Sequence, residues 1–231
     1  MITLTEIHDF AVKNKACFGE LDSFNMAFNS GDIIKAWQIV IWNMKWLNHK
    51  GLTIDKSDIP KEVNGKCEIV DYLKIKTIFR IKNFKLDGQV KVYDRLGNTM
   101  VEYAMKNGLV HGKTIRYGYD GFIQYIIHHK NGITHGIAKY YTDNKLTMSK
   151  MYMNGKSHGK EKQYFTNGKI CTNKTYVDGV LNGQYYLYSP NGKINLIGEY
   201  KDGYLDGDVQ LYDKNGIFQT TEKYSMGIKI G

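Results

Sequence analysis

A glycine pair recurs along the chain every 24 residues, and this recurrence limits the fold more than any other feature. Each copy sets two glycines four apart, with a tyrosine five residues after the second. The copies read NGLVHGKTIRY (107–117), NGITHGIAKYY (131–141), NGKSHGKEKQY (154–164), DGVLNGQYYLY (178–188) and DGYLDGDVQLY (202–212). A degenerate first copy, NFKLDGQVKVY, begins at Asn83, and the last stops at its second glycine in GIKIG. The second glycines are Gly88, Gly112, Gly136, Gly159, Gly183, Gly207 and Gly231, at separations of 24, 24, 23, 24, 24 and 24 residues.

Each period carries a second turn signal after its tyrosine: DRLG, GYDG, FTNG, SPNG and DKNG. The third copy has TDNK there and is one residue shorter, so a different turn is expected. Asn-Gly and Asp-Gly accept positive φ and mark tight hairpins. The runs between turns alternate with period two, as strands do. One face of the longer runs reads Ile123, Tyr125, Ile127, His129, then Leu146, Met148, Lys150, Tyr152, and ends with Phe218, Thr220, Glu222, Tyr224. The opposite face is more polar, as in Gln124, His128 and Lys130.

The pattern predicts a mainly β chain: an elongated antiparallel meander of repeated hairpins, each marginal alone and stabilised by its neighbours. Gly112, Gly136, Gly159, Gly183 and Gly207 are expected as structural turn glycines. The units YxxGxxxG, as in Tyr176–Gly183 and Tyr200–Gly207, with the later Tyr and NG, resemble the MORN repeat family in its variant form. The resemblance covers about residues 80–231 and lacks the tryptophan that often opens a strand in the usual repeat. It implies a non-catalytic β-sheet used for protein contacts or, in some members, membrane attachment. Some bacterial proteins with the variant repeat are assigned as antitoxins.

Composition divides the chain near residue 66, giving an expected helical cap over 1–66 and a hairpin-repeat domain over 67–231. All three tryptophans precede that point and all eighteen tyrosines follow it. The first part is charge-neutral, so the net +9 resides in the second. Thr3-Leu4-Thr5-Glu6 has the form of a capping box for a helix over Ile7, Phe10 and Ala11. Residues 20–28 suit a second helix. Asn29-Ser30-Gly31-Asp32 offers N-cap chemistry for a third that ends before Gly51. On it Ile33, Trp37, Val40, Ile41, Met44 and Leu47 share one face, and Ile39, Trp42 and Trp46 the other. A helix apolar on both sides is expected between two layers, packed on its helical neighbours and the first hairpins, and covering a sheet edge.

The chemical candidates are few. His111, His135 and His158 precede the second glycine in successive copies, but equivalent positions lie two strands, about 10 Å, apart. That is too far to share a metal. Other copies place Asp87, Asn182 and Asp206 there, and Asn, Asp and His tolerate left-handed backbone, so a turn role is expected. No nucleophile, zincin or phosphate-loop motif occurs, so neither catalysis nor a cofactor or metal is expected. Cys17, Cys67 and Cys171 are odd in number and widely spaced, which argues against a disulfide framework and for a reducing compartment, the cytoplasm of the cell or of a viral host. Arg80, Arg95 and Arg116 are the sole arginines, which disfavours specific nucleic-acid readout. The expected function is an interaction module contacting a protein partner through Tyr125, Tyr152, Tyr176, Tyr200 and Tyr224. Neutralising a cognate toxin, or lying on an anionic membrane through the basic surface, are the alternatives.

Overall fold

The computed structural model describes every residue except Met1, Lys15, Cys17, Ser30, Asp71 and Tyr72, so the expectations for Cys17 and Ser30 lie outside the described residues. The chain divides into two compact units, Met1–Gly112 and Lys113–Gly231.

The first unit opens with α1 (Leu4–Lys13), α2 (Phe18–Asn29) and α3 (Ile33–His49). Thr3 and Glu6 close the expected capping box around the start of α1. Asp32 caps α3, its carboxylate accepting from the Lys35 backbone N–H at 3.0 Å. Gly51, at φ 93°, ends that helix by letting the Leu52 N–H turn back to the Leu47 carbonyl at 3.0 Å. Short 3₁₀ turns at Lys56–Asp58 and Lys61–Val63 lead to β1 (Gly65–Val70), β2 (Lys76–Lys82), β3 (Lys85–Leu86), β4 (Gly88–Tyr93) and β5 (Thr99–Lys106). All pair antiparallel in chain order.

Strand alternation in this unit decides what the helices can cover. Cys67, Phe79 and Val90 point to one face and are buried, whereas Lys66, Arg80 and Gln89 point to the other. Trp42 of α3 packs on Phe79 with centroids 4.7 Å apart and the rings tilted by 34°, and Ile81, Val90, Tyr103 and Met105 join the same cluster. Ala36, Trp37, Ile39, Val40, Ile41 and Leu47 are buried as well, so α3 is enclosed on both sides, as its sequence implies. It packs on the inner face of the first strands, beside Phe79, Ile81 and Val90.

The second unit is a meander of β7 (Ile123–Lys130), β8 (Ile133–Thr134), β9 (Gly136–Thr142), β10 (Lys145–Met153), β11 (Lys156–Tyr164), β12 (Ile170–Val177), β13 (Val180–Leu181), β14 (Gly183–Tyr188), β15 (Ile194–Lys201), β16 (Tyr204–Leu205), β17 (Gly207–Tyr212), β18 (Phe218–Ser225) and β19 (Ile228–Lys229). β6 (Leu109–Tyr117) carries the chain across the unit boundary. The described pairings are antiparallel between successive strands, the hairpin meander that the period predicts.

Two turn types alternate. At the first glycines the Asn-Gly or Asp-Gly pair adopts positive φ at both residues, as in Asn131 (51°) and Gly132 (82°), a type I′ turn. At the other end a three-residue loop closes on a left-handed glycine. The Gly97 N–H reaches the Asp94 carbonyl at 3.1 Å and the Asp94 N–H reaches Asn98 at 2.9 Å. The short third copy replaces that loop with a two-residue turn at Asp143 and Asn144, joining Thr142 to Lys145.

Candidate functional site

The second glycines of the repeat do not stand in the hairpin turns. Ile81 faces Leu86 and Ile78 faces Lys91, so three steps on β2 match five on its partner. Two residues, Asp87 and Gly88, are extra. The same offset occurs at His135–Gly136, Asn182–Gly183 and Asp206–Gly207. Each second glycine is therefore the left-handed member of a bulge inside the strand, with φ 84° at Gly112, 92° at Gly136, 81° at Gly159, 105° at Gly183 and 89° at Gly207.

The residue before it is not left-handed. His135, His158, Asn182, Asp87 and Asp206 all have ordinary negative φ, so tolerance of that conformation does not explain the choice of Asn, Asp and His. Their side chains bond to the neighbouring repeat instead. Asp87 and Asp206 accept from the backbone N–H of Asn107 and Met226 at 3.2 Å. His135 and His158 accept through Nδ1 from Asn154 and Asp178 at 3.4 Å. Asn182 instead donates its amide to the Asp202 carboxylate at 3.5 Å, so the shared feature is a polar side chain that reaches the next repeat. The first glycines complete the ladder: the Gly155, Gly179 and Gly203 N–H groups bond to the Thr134, Ser157 and Leu181 carbonyls of the preceding repeat at 2.8 to 2.9 Å. At the opposite turns Asn167 and Asn191 donate to the Pro190 and Lys214 carbonyls at 2.8 and 2.6 Å.

Cross-strand register places four of the five predicted tyrosines at one equivalent position. Tyr152 faces Gly136, Tyr176 faces Gly159, Tyr200 faces Gly183 and Tyr224 faces Gly207. Each of the four is thus the register partner of a bulge glycine, which has no side chain of its own. Tyr125 is not part of that row: it faces Tyr140, with ring centroids 6.4 Å apart. All five are half-buried.

On the same face lies a feature that the sequence reading missed. Lys150 and Glu161, directly opposite on β10 and β11, form an ion pair at 2.8 Å with side chains 18% and 5% exposed. The Lys150 ammonium stands 4.5 Å from the centre of the Tyr176 ring and 5.8 Å from that of Tyr152. Only the register could have revealed it, since the partners are eleven residues apart. Burial pushes the Tyr140 hydroxyl up to about 12, helped by its hydrogen bond to Tyr152, and burial also raises Tyr176 and Tyr185. Thr172, 7% exposed, lies on this face with its hydroxyl unpartnered among the described residues. The opposite face exposes Lys139, Lys160, Gln184, Glu199 and Lys223.

Among the described residues, no group of three or more His, Cys, Asp or Glu side chains converges to hold a metal. Cys67 is buried, which pushes its thiol up to about 11 and leaves it a weak nucleophile at neutral pH. No helix among the described residues is long and apolar enough to cross a membrane.

Fold and face together define a β-hairpin repeat protein, each period two strands, two turns and one glycine bulge. The family model described as MORN repeat variant matches residues 157–178 and 181–202, and those two segments are variant MORN repeats. Repeats of this family are generally modules that bind proteins or membranes. No curated protein matches the chain. Among solved structures it is similar to S. aureus TarM at 13% identity and a TM-score of 0.25, over 71% of this chain and 27% of that one. A TarM point mutant in complex with fondaparinux, α-GlcNAc-glycerol and UDP gives 12% identity and the same TM-score, over 72% and 27%. The chain thus spans about a quarter of the length of these solved proteins.

Proposed function

We propose that the chain is a non-catalytic interaction module of the cytoplasm that binds a protein partner along the tyrosine face of Lys113–Gly231. The observation that carries this reading is the chemistry of that face. Half-buried tyrosines flank a desolvated Lys150–Glu161 pair, while the reverse face is the more exposed, with Lys139, Lys160 and Lys223 beside exposed Ile137, Met151 and Val177. Tyrosine offers a large contact area with one polar tip and loses little side-chain freedom on binding, which suits it to partner surfaces. The expected partner is a single protein, and a toxin encoded beside the chain is the finer form of the same reading.

The test is affinity capture from the native cell with a Tyr176→Ser/Tyr200→Ser variant shown by circular dichroism to keep its strand content. Recovery of the partner is expected to fall at least tenfold, with no fall in a Lys160→Ser/Lys223→Ser variant of the opposite face. Equal recovery by all three proteins overturns the reading. Growth rescue on co-expression with a neighbouring toxic gene identifies the partner as a toxin. Flotation with anionic vesicles in the absence of any captured protein replaces the protein partner with a membrane.

A further inference from the structure

The outer face of the first unit, turned away from the helices, carries an unusual charge arrangement. Among the cross-strand pairs described, two join like charges: Lys66 opposite Arg80, and Lys82 opposite Lys85. Both lie at the same end of β1, β2 and β3. Such pairs have Cβ atoms about 5 Å apart and destabilise a sheet. Farther along the same face Lys76 pairs with Glu68 at 2.9 Å and Lys91 with Glu102 at 3.4 Å. Lys66, Arg80, Lys82 and Lys85 are exposed and lie in no such ion pair. Beside them Gln89 adds an amide, and half-buried Ile78 and Tyr93 give an open hollow an apolar wall.

We propose that this end of the outer face is a docking site for an extended, Asp/Glu-rich protein segment. Carboxylates placed on successive residues of such a segment offset two like-charge pairs at once, which a single small anion cannot span. A lipid plane fits less well, because Glu68 and Glu102 on the same face would be pressed against its phosphates. Arg80 offers a carboxylate a planar two-point contact, and the lysines act as point charges. The site lies in the unit that does not carry the tyrosine face, so the proposal stands apart from the reading above.

The probe is a fluorescein-labelled octaglutamate peptide titrated with the full chain and followed by fluorescence anisotropy. Binding is expected to weaken at least tenfold in Lys66→Ala/Arg80→Ala, and steeply with added salt. A charge-matched variant in the other unit, Lys160→Ala/Lys201→Ala, is expected to change it less than twofold, and Tyr176→Ser/Tyr200→Ser to leave it unchanged. The four residues changed to alanine are exposed, so both alanine variants should fold, which circular dichroism checks. Equal weakening by the two charge-removing variants overturns the proposal, since net charge alone then explains binding. No peptide binding together with capture of phosphatidylserine vesicles overturns it in favour of a lipid surface, and competition by inorganic phosphate at equal concentration in favour of a single-anion site.

Discussion

The two units hold themselves together in different ways. Of the nineteen buried apolar residues among those described, seventeen lie in Met1–Gly112, and only Ala138 and Val209 lie in Lys113–Gly231. The first unit is a two-layer structure in which helices supply the apolar cover that the strands lack. In the second, repeats are tied by backbone and side-chain bonds between turns, by half-buried tyrosines and by one desolvated ion pair. A single layer can be stable when each repeat shields its neighbour, and the face so formed stays available to a partner.

The largest effect expected from this contrast is at Phe79. It is fully buried and packed against Trp42, so Phe79→Ala is expected to destabilise the first unit by about 3–5 kcal/mol. All three tryptophans lie in that unit, so tryptophan fluorescence during urea unfolding isolates the effect. A matching shift in the strand signal of the second unit would show that the two unfold as one.

Next is the ion pair. Glu161→Ala leaves the Lys150 ammonium buried without its partner, an expected loss of about 3 kcal/mol in the second unit. Replacing both with apolar residues, Lys150→Met/Glu161→Leu, is expected to recover most of it, as measured by far-UV denaturation. Failure to recover would give the pair a role beyond stability.

The bulge glycines rank third. At Gly207 an added Cβ meets nothing within 4 Å, so Gly207→Ala reads backbone strain alone, about 1–2 kcal/mol. At Gly183 the Cβ would also stand 3.4 Å from that of Thr175, and a larger loss is expected. Equal losses would place the whole cost in the left-handed backbone.

The smallest effect concerns alkaline pH. The folded state raises the Tyr140 hydroxyl above its ordinary value, so this contribution is fully present below pH 10 and lost as pH rises through about 12. Tyr140→Phe is expected to flatten the fall in stability across that window, measured by unfolding at stepped pH.

How far the sequence could be read depended on the range of the interaction. The type I′ turns were legible because Asn-Gly and Asp-Gly act within two residues, and the capping box of α1 because it acts within four. The residue before each second glycine is chosen for a bond to a group some twenty residues away, as His158 accepts from the Asp178 N–H, and local conformational tolerance carries no sign of that. Tyr125 stands eleven residues before its second glycine where the other four tyrosines stand seven before theirs, an offset already present in the sequence, and pairing sets it opposite Tyr140. The bulge is legible only once strands are paired: two extra residues on one strand mean nothing until the opposite strand is counted.

By itself the sequence determined the period, the hairpins, the alternation of faces and the helical start. These follow from φ preferences and apolar spacing, which each residue carries wherever it stands. The tertiary structure alone decided which residues meet: Lys150 with Glu161, tyrosine with glycine, Lys66 against Arg80, α3 on an inner face. Those pairings depend on register, which is a property of two strands together: the turns and bulges that set it count residues on both strands, so no single strand shows which partner it meets.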